Sequence, residues 1–400
     1  MTHLRKLPLT AIHVLAIGAC GLGIWQSWTF ARAGFLFDQD TEASVRAAIR
    51  EAPDAWPYYM RLAQFEQGNA RPLLIKSLQL NRYNAQADIE LALQAEEDGE
   101  YDQAEKLMLA AFDIDRTYLP RWSLANFYLR RDNLPAFWYW GRSAAAVPSQ
   151  DIFPLFELCW RVAPDPETLA SILPNGNTQT LRQFIDFLLS MNQVHQAGLL
   201  AQRLILAGDE GEDRPRILAV IDRLVADSDA STAIALWRTS IRQQWVSADL
   251  TVPNNKRFAR QPVPVSFDWR IPEYTGLHSW PGSSGLETEF SGQEPEDAAI
   301  AEQVLALAPG NYKVSYSYRT AGVAPDTGIH WQMLDAKGGQ VLAESPDLSS
   351  EVSTRTAFQV SVQDDVPFVL FRLNYRRALG TPRISGMLVL EWVQIEAQPQ

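Results

Sequence analysis

Apolar residues recur at helical spacing from residue 40 to about residue 244. In the stretch EDGEYDQAEKLMLAAFDID, Glu97–Asp115, two alanines, Ala104 and Ala111, lie seven residues apart among larger apolar residues. Related patterns return in VHQAGLLAQRLIL, Val194–Leu206, and in ASTAIALWRTSI, Ala230–Ile241. A repeat of about 34 residues with two helices in each unit predicts stacked helical hairpins.

Small residues mark the places where neighbouring helices are expected to cross. Ala104, Ala197 and Ala233 occupy equivalent positions in three of the repeats. An alanine at a crossing lets two helix axes approach at the short end of the usual range of about 8–10 Å. We therefore expect six residues to pack the repeats together: Leu91, Ala92, Ala104, Ala111, Ala197 and Ala233.

The best-preserved unit resembles the tetratricopeptide repeat (TPR) family. The resemblance covers about half of the chain, although the other units are degenerate and residues 148–177 are proline-rich and irregular. It implies an all-α solenoid over residues 38–247 that binds a protein partner. The residues that carry it are Leu91, Ala92, Gly99, Tyr101, Ala104 and Ala111, with Trp122 opening the next unit.

The segment FWYWGR, Phe137–Arg142, concentrates aromatic residues beyond what one buried helix face can use. An exposed part of this cluster would form a groove for a partner, because contiguous apolar surface marks interaction sites. The alternative is that the aromatic residues fill the interior of a distorted repeat. The candidate partner-binding residues are Trp122, Tyr128, Phe137, Trp138 and Trp140.

The helical pattern ends after Trp245. The stretch VPNNKRFARQPVPV is rich in proline and has no helical period, so residues 248–265 are predicted to be a linker. Beyond it, apolar and polar residues alternate, as in NYKVSYSYRT and GIHWQML. About nine such segments, separated by turn residues, predict an antiparallel all-β sandwich over residues 266–400.

The C-terminal third is similar to jelly-roll carbohydrate-binding modules and galactose-binding-like domains. The similarity rests on an early FDW strand, the hairpin LAPGNYKVSYSYR, the strand GIHWQ and the closing segment RRALGTPRISGMLVLEWVQI. It depends on strand order rather than on a catalytic motif. It implies a jelly-roll sandwich that binds a glycan.

Polar residues on three predicted strands are the first candidates for binding a glycan. Sugars are bound by aromatic faces that pack on C–H surfaces, while polar side chains take the hydroxyl groups. If the three strands are neighbours, they present one polar face; an ordinary solvated sheet face is the alternative. The candidates are Arg319, His330, Gln332, Arg372 and Asn374.

Loop residues form a second set of glycan-binding candidates. In EYTGLHSWPG, Tyr274 and Trp280 are either a platform for stacking a sugar or a lid over the core. In RRALGTPR, Arg376 and Arg377 form a basic loop that fits an acidic glycan or is a solvated turn. Three other tryptophans occupy the alternate strand positions that carry apolar residues, so they are predicted to lie in the core: Trp269, Trp331 and Trp392.

Residues 1–37 are predicted to be a short cytoplasmic N-terminus followed by a transmembrane helix. Arg5 and Lys6 precede an uncharged, largely apolar run from Leu7 to Ala31, and about 20 apolar residues suffice to cross a bilayer. The basic residues keep the N-terminus cytoplasmic, so the rest of the chain is expected to be exported from a bacterial inner membrane. Cleavage after residues 31–33 and lipidation of Cys20 are the alternatives.

The net charge and the absence of known motifs limit the ligands and reactions that the sequence predicts. The net charge of −12 at pH 7 argues against a nucleic-acid partner, because phosphate backbones are bound by clustered Lys and Arg. The sequence contains no phosphate-binding loop, nucleophile elbow or metal-ligand spacing of histidines, so no cofactor, metal or catalytic residue is predicted. Glycosidases need two carboxylates across a cleft, and nothing selects a pair among Glu273, Glu287 and Glu289.

Together these features predict a multidomain, non-enzymatic scaffold. The solenoid would bind a protein and the sandwich a polysaccharide, an architecture that resembles accessory proteins of bacterial exopolysaccharide assembly and export. One competing hypothesis is a purely structural adaptor whose sandwich contacts another protein and no sugar. The other is a polysaccharide-active enzyme.

Overall fold

The computed structural model describes residues 9–147, 149, 151–174, 176–248, 252–378 and 380–399. The chain forms two compact units that divide after Pro174. The helices predicted as one array over residues 38–247 therefore belong to both units. The division falls inside the irregular, proline-rich segment that the sequence shows between the better repeats.

The first unit is all-helical in its described part. Helices that follow each other along the chain contact each other, and a short 3₁₀ helix, Gln67–Asn69, precedes α4. They are α1 (Leu9–Phe37), α2 (Glu42–Glu51), α3 (Trp56–Phe65), α4 (Ala70–Leu80), α5 (Ala85–Glu97), α6 (Tyr101–Ile114), α7 (Tyr118–Arg130), α8 (Leu134–Ala145), α9 (Phe153–Val162) and α10 (Pro166–Ala170).

The second unit begins with four more helices: α11 (Thr178–Ser190), α12 (Val194–Ala207), α13 (Glu210–Ala226) and α14 (Ala230–Arg242). Helices in both units start at side chains that accept a backbone N–H of the first turn, which satisfies a donor that the helix itself leaves free. The capping residues of α5, α8, α11 and α14 are Asn84, Asn133, Asn177 and Asp229.

Small residues pack the helix crossings. Ala104, Ala111, Ala197, Ala233 and Ala92 have no exposed surface, and Leu91 retains 9%. Gly198 of α12, next to Ala197, is packed more tightly still, because a Cβ added there would lie 2.6 Å from the Cγ2 atom of Thr232 on α14. The hairpins are thus held at distances that larger side chains would prevent.

The C-terminal end of α1 belongs to the helical array. Ala33 is fully buried, and the ring of Phe37 lies 4.7 Å from that of Tyr58 on α3. In the described part of the chain, no helix combines the length and the apolar content that crossing a bilayer requires. The transmembrane helix predicted within residues 1–37 is therefore not found there, and residues 1–8 lie outside the described part. Polar Gln26 and Ser27 interrupt the apolar run.

After α14, the described chain forms nine strands in two antiparallel sheets. The five-stranded sheet has the order β1-β2-β9-β4-β7 and the four-stranded sheet the order β3-β8-β5-β6, which is the strand order of a jelly roll. The strands are β1 (Leu277–Gly282), β2 (Gly285–Ser291), β3 (Asp297–Leu305), β4 (Gly310–Ala321), β5 (Ile329–Asp335), β6 (Val341–Glu344), β7 (Thr354–Val362), β8 (Val369–Arg376) and β9 (Ser385–Ala397).

The segment predicted as a linker, residues 248–265, instead contributes to the sandwich in its described part. Phe258 has no exposed surface, belongs to the sandwich core and lies 4.9 Å, ring to ring, from Trp269. The core continues through Trp331, which stacks on Phe371 at 4.3 Å. The segment has an irregular backbone, so its sequence shows neither the helical nor the strand period. It packs in the core all the same, because burial of a side chain does not require a regular pattern.

Helix α13 is tied directly to the sandwich within the second unit. The Oδ1 atom of Asp222 accepts hydrogen bonds from the backbone N–H (2.7 Å) and the hydroxyl (2.5 Å) of Ser266, and its Oδ2 atom accepts one from Arg270 at 3.0 Å. On α14, the ring of Trp237 lies 5.9 Å from that of Phe267. The last helices and the sandwich therefore share polar and apolar contacts.

Candidate functional site

The predicted polar face does not form as one surface. Arg319 lies on β4, in the five-stranded sheet, whereas the other four candidates lie on β5 and β8 of the four-stranded sheet. On those strands, His330 pairs with Asn374 and Gln332 pairs with Arg372. The prediction that the three strands are neighbours is therefore right for β5 and β8. It is wrong for β4, which pairs with β7 and β9.

Most polar groups of the four-stranded sheet are occupied by the protein itself, and the buried Oδ1 atom of Asn374 is an exception. Arg372 donates from Nε and Nη2 to the Oε2 atom of Glu302 at 3.0 and 2.8 Å. Gln332 donates to Glu344 at 2.7 Å. Because Gln332 and Asn374 retain only 3% and 1% of their exposed surface, this face offers little to the hydroxyl groups of a sugar.

The basic loop is likewise neutralised within the chain. Arg376 donates to the Oδ2 atom of Asp297 at 2.9 and 2.8 Å, and Arg377 lies 3.3 Å from Glu296. Burial opposes ionisation of Asp297, but hydrogen bonds from Asn374 and Arg376 outweigh it and hold the pKa of Asp297 below its usual range. Neither arginine is left as a free cation for an acidic glycan.

The outward face of the five-stranded sheet is the better candidate. Its register places Trp280, Glu287, Val389 and Arg319 side by side across four strands. Three strand spacings separate the ends of this row, or about 14 Å. Arg319 is exposed and Glu287 half-buried, and neither forms a hydrogen bond or an ion pair with the described part of the chain. The row therefore combines an aromatic ring with two uncommitted charged groups of opposite sign.

Trp280 also borders an open pocket at the edge of the sandwich. It lies on β1, which the sequence had suggested to be a loop, and its ring is 6.3 Å from that of His278. The pocket has a volume of about 670 Å³ and is lined by proline-rich backbone, the exposed Glu273 and Trp280. This volume lies within the range of about 300–1,000 Å³ that is usual for ligand sites. Tyr274 packs instead against the sandwich core.

Trp392 does not lie in the core, contrary to the prediction from its parity. A register shift in β9, between Leu390 and Trp392, adds one residue opposite β4. Since successive side chains point to opposite faces, the extra residue reverses the parity of those that follow. Trp392 is half-buried on the outward face, where the guanidinium carbon of Arg355 lies 4.9 Å from its ring centroid.

The carboxylates considered for an enzyme do not face each other. Glu287 and Glu289 are two residues apart on β2 and point from the same face of the sheet. A glycosidase places its carboxylates on opposite sides of the bond that it breaks. The Glu287 side chain lies over Gly282, where an added Cβ would be 2.3 Å from Oε1 of Glu287.

The aromatic cluster of the helices is mostly interior. Phe137 has no exposed surface and Trp140 retains 8%, so neither is available to a partner. Trp122, Tyr128 and Trp138 are half-buried, and the Tyr128 hydroxyl donates to Glu105 at 2.5 Å. The one strongly exposed aromatic of FWYWGR is Tyr139, at 63%, which the sequence did not single out.

Among the described residues, no cluster of three or more His, Cys, Asp and Glu side chains has a geometry that could hold a metal ion. Burial raises the pKa of the Cys159 thiol to about 12. Such a thiol stays protonated at neutral pH and is a poor nucleophile. Cys159 therefore serves packing.

No protein-family model and no curated protein sequence matches the chain. Among solved structures, the one described as "CBM4 structure and function" is 15% identical, covers 36% of this chain and 99% of that chain, and has a TM-score of 0.29. The carbohydrate-binding module CBM6cm-2 from Cellvibrio mixtus lichenase 5A, in complex with cellotriose, is 13% identical, covers 32% and 92%, and has a TM-score of 0.22. A tetratricopeptide repeat protein from Parabacteroides merdae is 12% identical, covers 55% and 93%, and has a TM-score of 0.28. These values are too low to assign a function.

Proposed function

We propose that this protein is a non-enzymatic scaffold whose helical hairpins dock a protein and whose β-sandwich binds a glycan. The observation that carries the glycan proposal is the row Trp280, Glu287, Val389 and Arg319 on the outward face of the five-stranded sheet. The indole offers a stacking surface, and the two charged groups offer hydrogen bonds that the protein does not use itself. The pocket beside Trp280 extends the same surface around the sheet edge.

Affinity electrophoresis of the full chain tests the glycan proposal. Native gels containing dextran, xylan, hydroxyethylcellulose or alginate would be run with the wild type, Trp280→Ala and Arg319→Ala. We expect at least one polysaccharide to retard the wild type and both substitutions to reduce the retardation. Lys313→Ala is the matched control, because Lys313 is an exposed cation on the same face of the same strand.

Two results would contradict the glycan proposal. If none of the polysaccharides retards the wild type, the structural adaptor becomes the better hypothesis. If Lys313→Ala weakens retardation as much as Arg319→Ala, the effect is general charge and not the proposed row. Glu273→Gln separates the edge pocket from the row, since Glu273 lines only the pocket.

The proposal of protein docking rests on the paired helices, which have exposed side chains that the pairing does not use. Tyr139 on α8 is the clearest aromatic example. A photo-crosslinking amino acid at position 139 is expected to give one discrete product in cells. The same amino acid at position 352, where Val352 is 71% exposed on the sandwich, is the control. Identical products from both positions would argue against docking on the helices.

We also propose that the protein works at the bacterial envelope, in exopolysaccharide assembly or export. Support comes from Arg5 and Lys6 ahead of an apolar run. It also comes from apolar side chains that α1 leaves exposed: Ile17, Leu22, Ile24, Trp25 and Trp28. Cell fractionation, with protease treatment of spheroplasts, tests this. Recovery of the protein only in the soluble cytoplasmic fraction would refute it.

A further inference from the structure

Residues of helices α3, α4 and α5 line a pocket of about 360 Å³ that is open to solvent. Its floor is apolar and well buried, with Met60 and Leu74 retaining 6% and 2% of their exposed surface. Glu90 and Glu97 on α5 also line it. Residues seven apart lie on the same face of a helix, so the two carboxylates border one side of the pocket. The surface is therefore apolar at its base and acidic at its wall.

Neither carboxylate has a partner within the described part of the chain. The arginines nearby are committed elsewhere: Arg71 pairs with Asp98 and Glu100, and Arg130 pairs with Glu96. Burial removes part of the water around the Glu90 carboxylate and so raises its pKa. A cation placed beside it would compensate that loss.

From this arrangement we infer that the pocket receives a lysine or arginine side chain from a basic segment of the partner protein. The aliphatic stem of such a side chain packs on Met60 and Leu74, and its charged head reaches Glu90 and Glu97. An acidic segment is repelled by the same two carboxylates, and a purely apolar one leaves them unpaired. The inference rests on the proposal that the helices dock a protein, and it specifies the chemistry of that partner.

Fluorescence anisotropy on the full chain tests the inference with three labelled octapeptides. The first contains leucine, alanine and two lysines. The second replaces each lysine by norleucine, which keeps the stem and removes the charge, and the third replaces each lysine by glutamate. We expect the lysine peptide alone to bind. Glu90→Gln combined with Glu97→Gln should weaken it about tenfold or more, since both charge-assisted hydrogen bonds are lost.

Glu157→Gln is the matched control, because Glu157 is an exposed glutamate of the same unit, outside the pocket, with no partner in the described chain. It removes the same charge and should leave affinity unchanged. Equal binding of the norleucine peptide, or equal weakening by Glu157→Gln, would overturn the inference while leaving protein docking in place. Absence of lysine-peptide binding would also overturn it, whereas docking itself is judged by the crosslinking at position 139.

Discussion

Arg182 on α11 and Asp213 on α13 form a two-point ion pair, with Nε 2.6 Å from Oδ1 and Nη2 2.9 Å from Oδ2. The Asp213 side chain has no exposed surface. Burial disfavours its charge, but the hydrogen bonds from Arg182 and from the backbone of Asp209 outweigh this and lower the pKa of Asp213. The pair therefore fixes two helices of the second unit at one point.

Replacing Arg182 by alanine should cost about 1.5–3 kcal/mol in the free energy of unfolding, because the buried carboxylate loses two charge-assisted hydrogen bonds. It keeps the backbone N–H of Asp209 at 3.0 Å and Arg216 at 3.4 Å. The contribution of Asp213 is present above its unfolded pKa of about 3.8 and is lost as the pH falls below it. Urea denaturation at pH 7 measures the loss. Arg214→Ala removes an exposed pair with Glu210 and should cost less than about 1 kcal/mol; similar losses in both variants would contradict the assignment.

For Asp88, the dependence of folding stability on pH has the opposite sign to that for Asp213. Burial raises its pKa to about 6, so the folded state binds a proton that the unfolded state has already released above about pH 3.8. Stability from this proton is greatest at low pH and is lost as the pH rises from about 4 to 6. Asp88→Asn should therefore stabilise the protein at pH 7, by up to about 3 kcal/mol, and flatten this part of the pH profile. Equal profiles for wild type and variant would show that Asp88 is not the group responsible.

Gly198→Ala should destabilise the second unit by about 1–3 kcal/mol through overpacking. Its new Cβ would lie 2.6 Å from Thr232 and 2.9 Å from Leu224. Thermal unfolding measures the effect. Gly34→Ala is the comparison, because that helical position has nothing within 4 Å and alanine there should be neutral or stabilising. A stable Gly198→Ala protein would mean that α12 and α14 are less closely packed.

Phe258→Ala should lower the free energy of unfolding by about 3–5 kcal/mol, because it empties part of a core. A flexible linker would tolerate the change. Val352→Ala, at a side chain that is 71% exposed, should have little effect. Chemical denaturation of the full chain, followed by the fluorescence of its thirteen tryptophans, measures the effect. An unchanged midpoint for Phe258→Ala would restore the linker interpretation.

The sequence was informative where one residue in a local pattern decides a contact. The positions of Ala104, Ala197 and Ala233 follow from the repeat alone, and all three are fully buried. The alternation in β4 and β5 likewise follows from a local rule, since successive side chains in a strand point to opposite faces. Most helix pairs and strands could therefore be assigned without knowledge of the tertiary structure. FDW, predicted as a strand, instead forms a turn, and β1 was taken for a loop.

Long-range pairing could not be read in the same way. Whether β4 lies beside β5 or β9 depends on contacts between distant segments, which explains why Arg319 was grouped with residues of the other sheet. The bulge that turns Trp392 outward is visible only in its register against β4. The sequence also did not predict the ion pairs of three arginines, because their acidic partners lie some seventy to eighty residues away in the chain. These arginines are Arg372, Arg376 and Arg377.

The contacts of Asp222 with Ser266 and Arg270 have a mechanical consequence. A force on a polymer held by the sandwich would pass to α13 through the hydrogen bonds of Asp222 and to α14 through the Trp237–Phe267 contact. Under the proposed function, these contacts would join the bound polymer to the last two helices of the second unit.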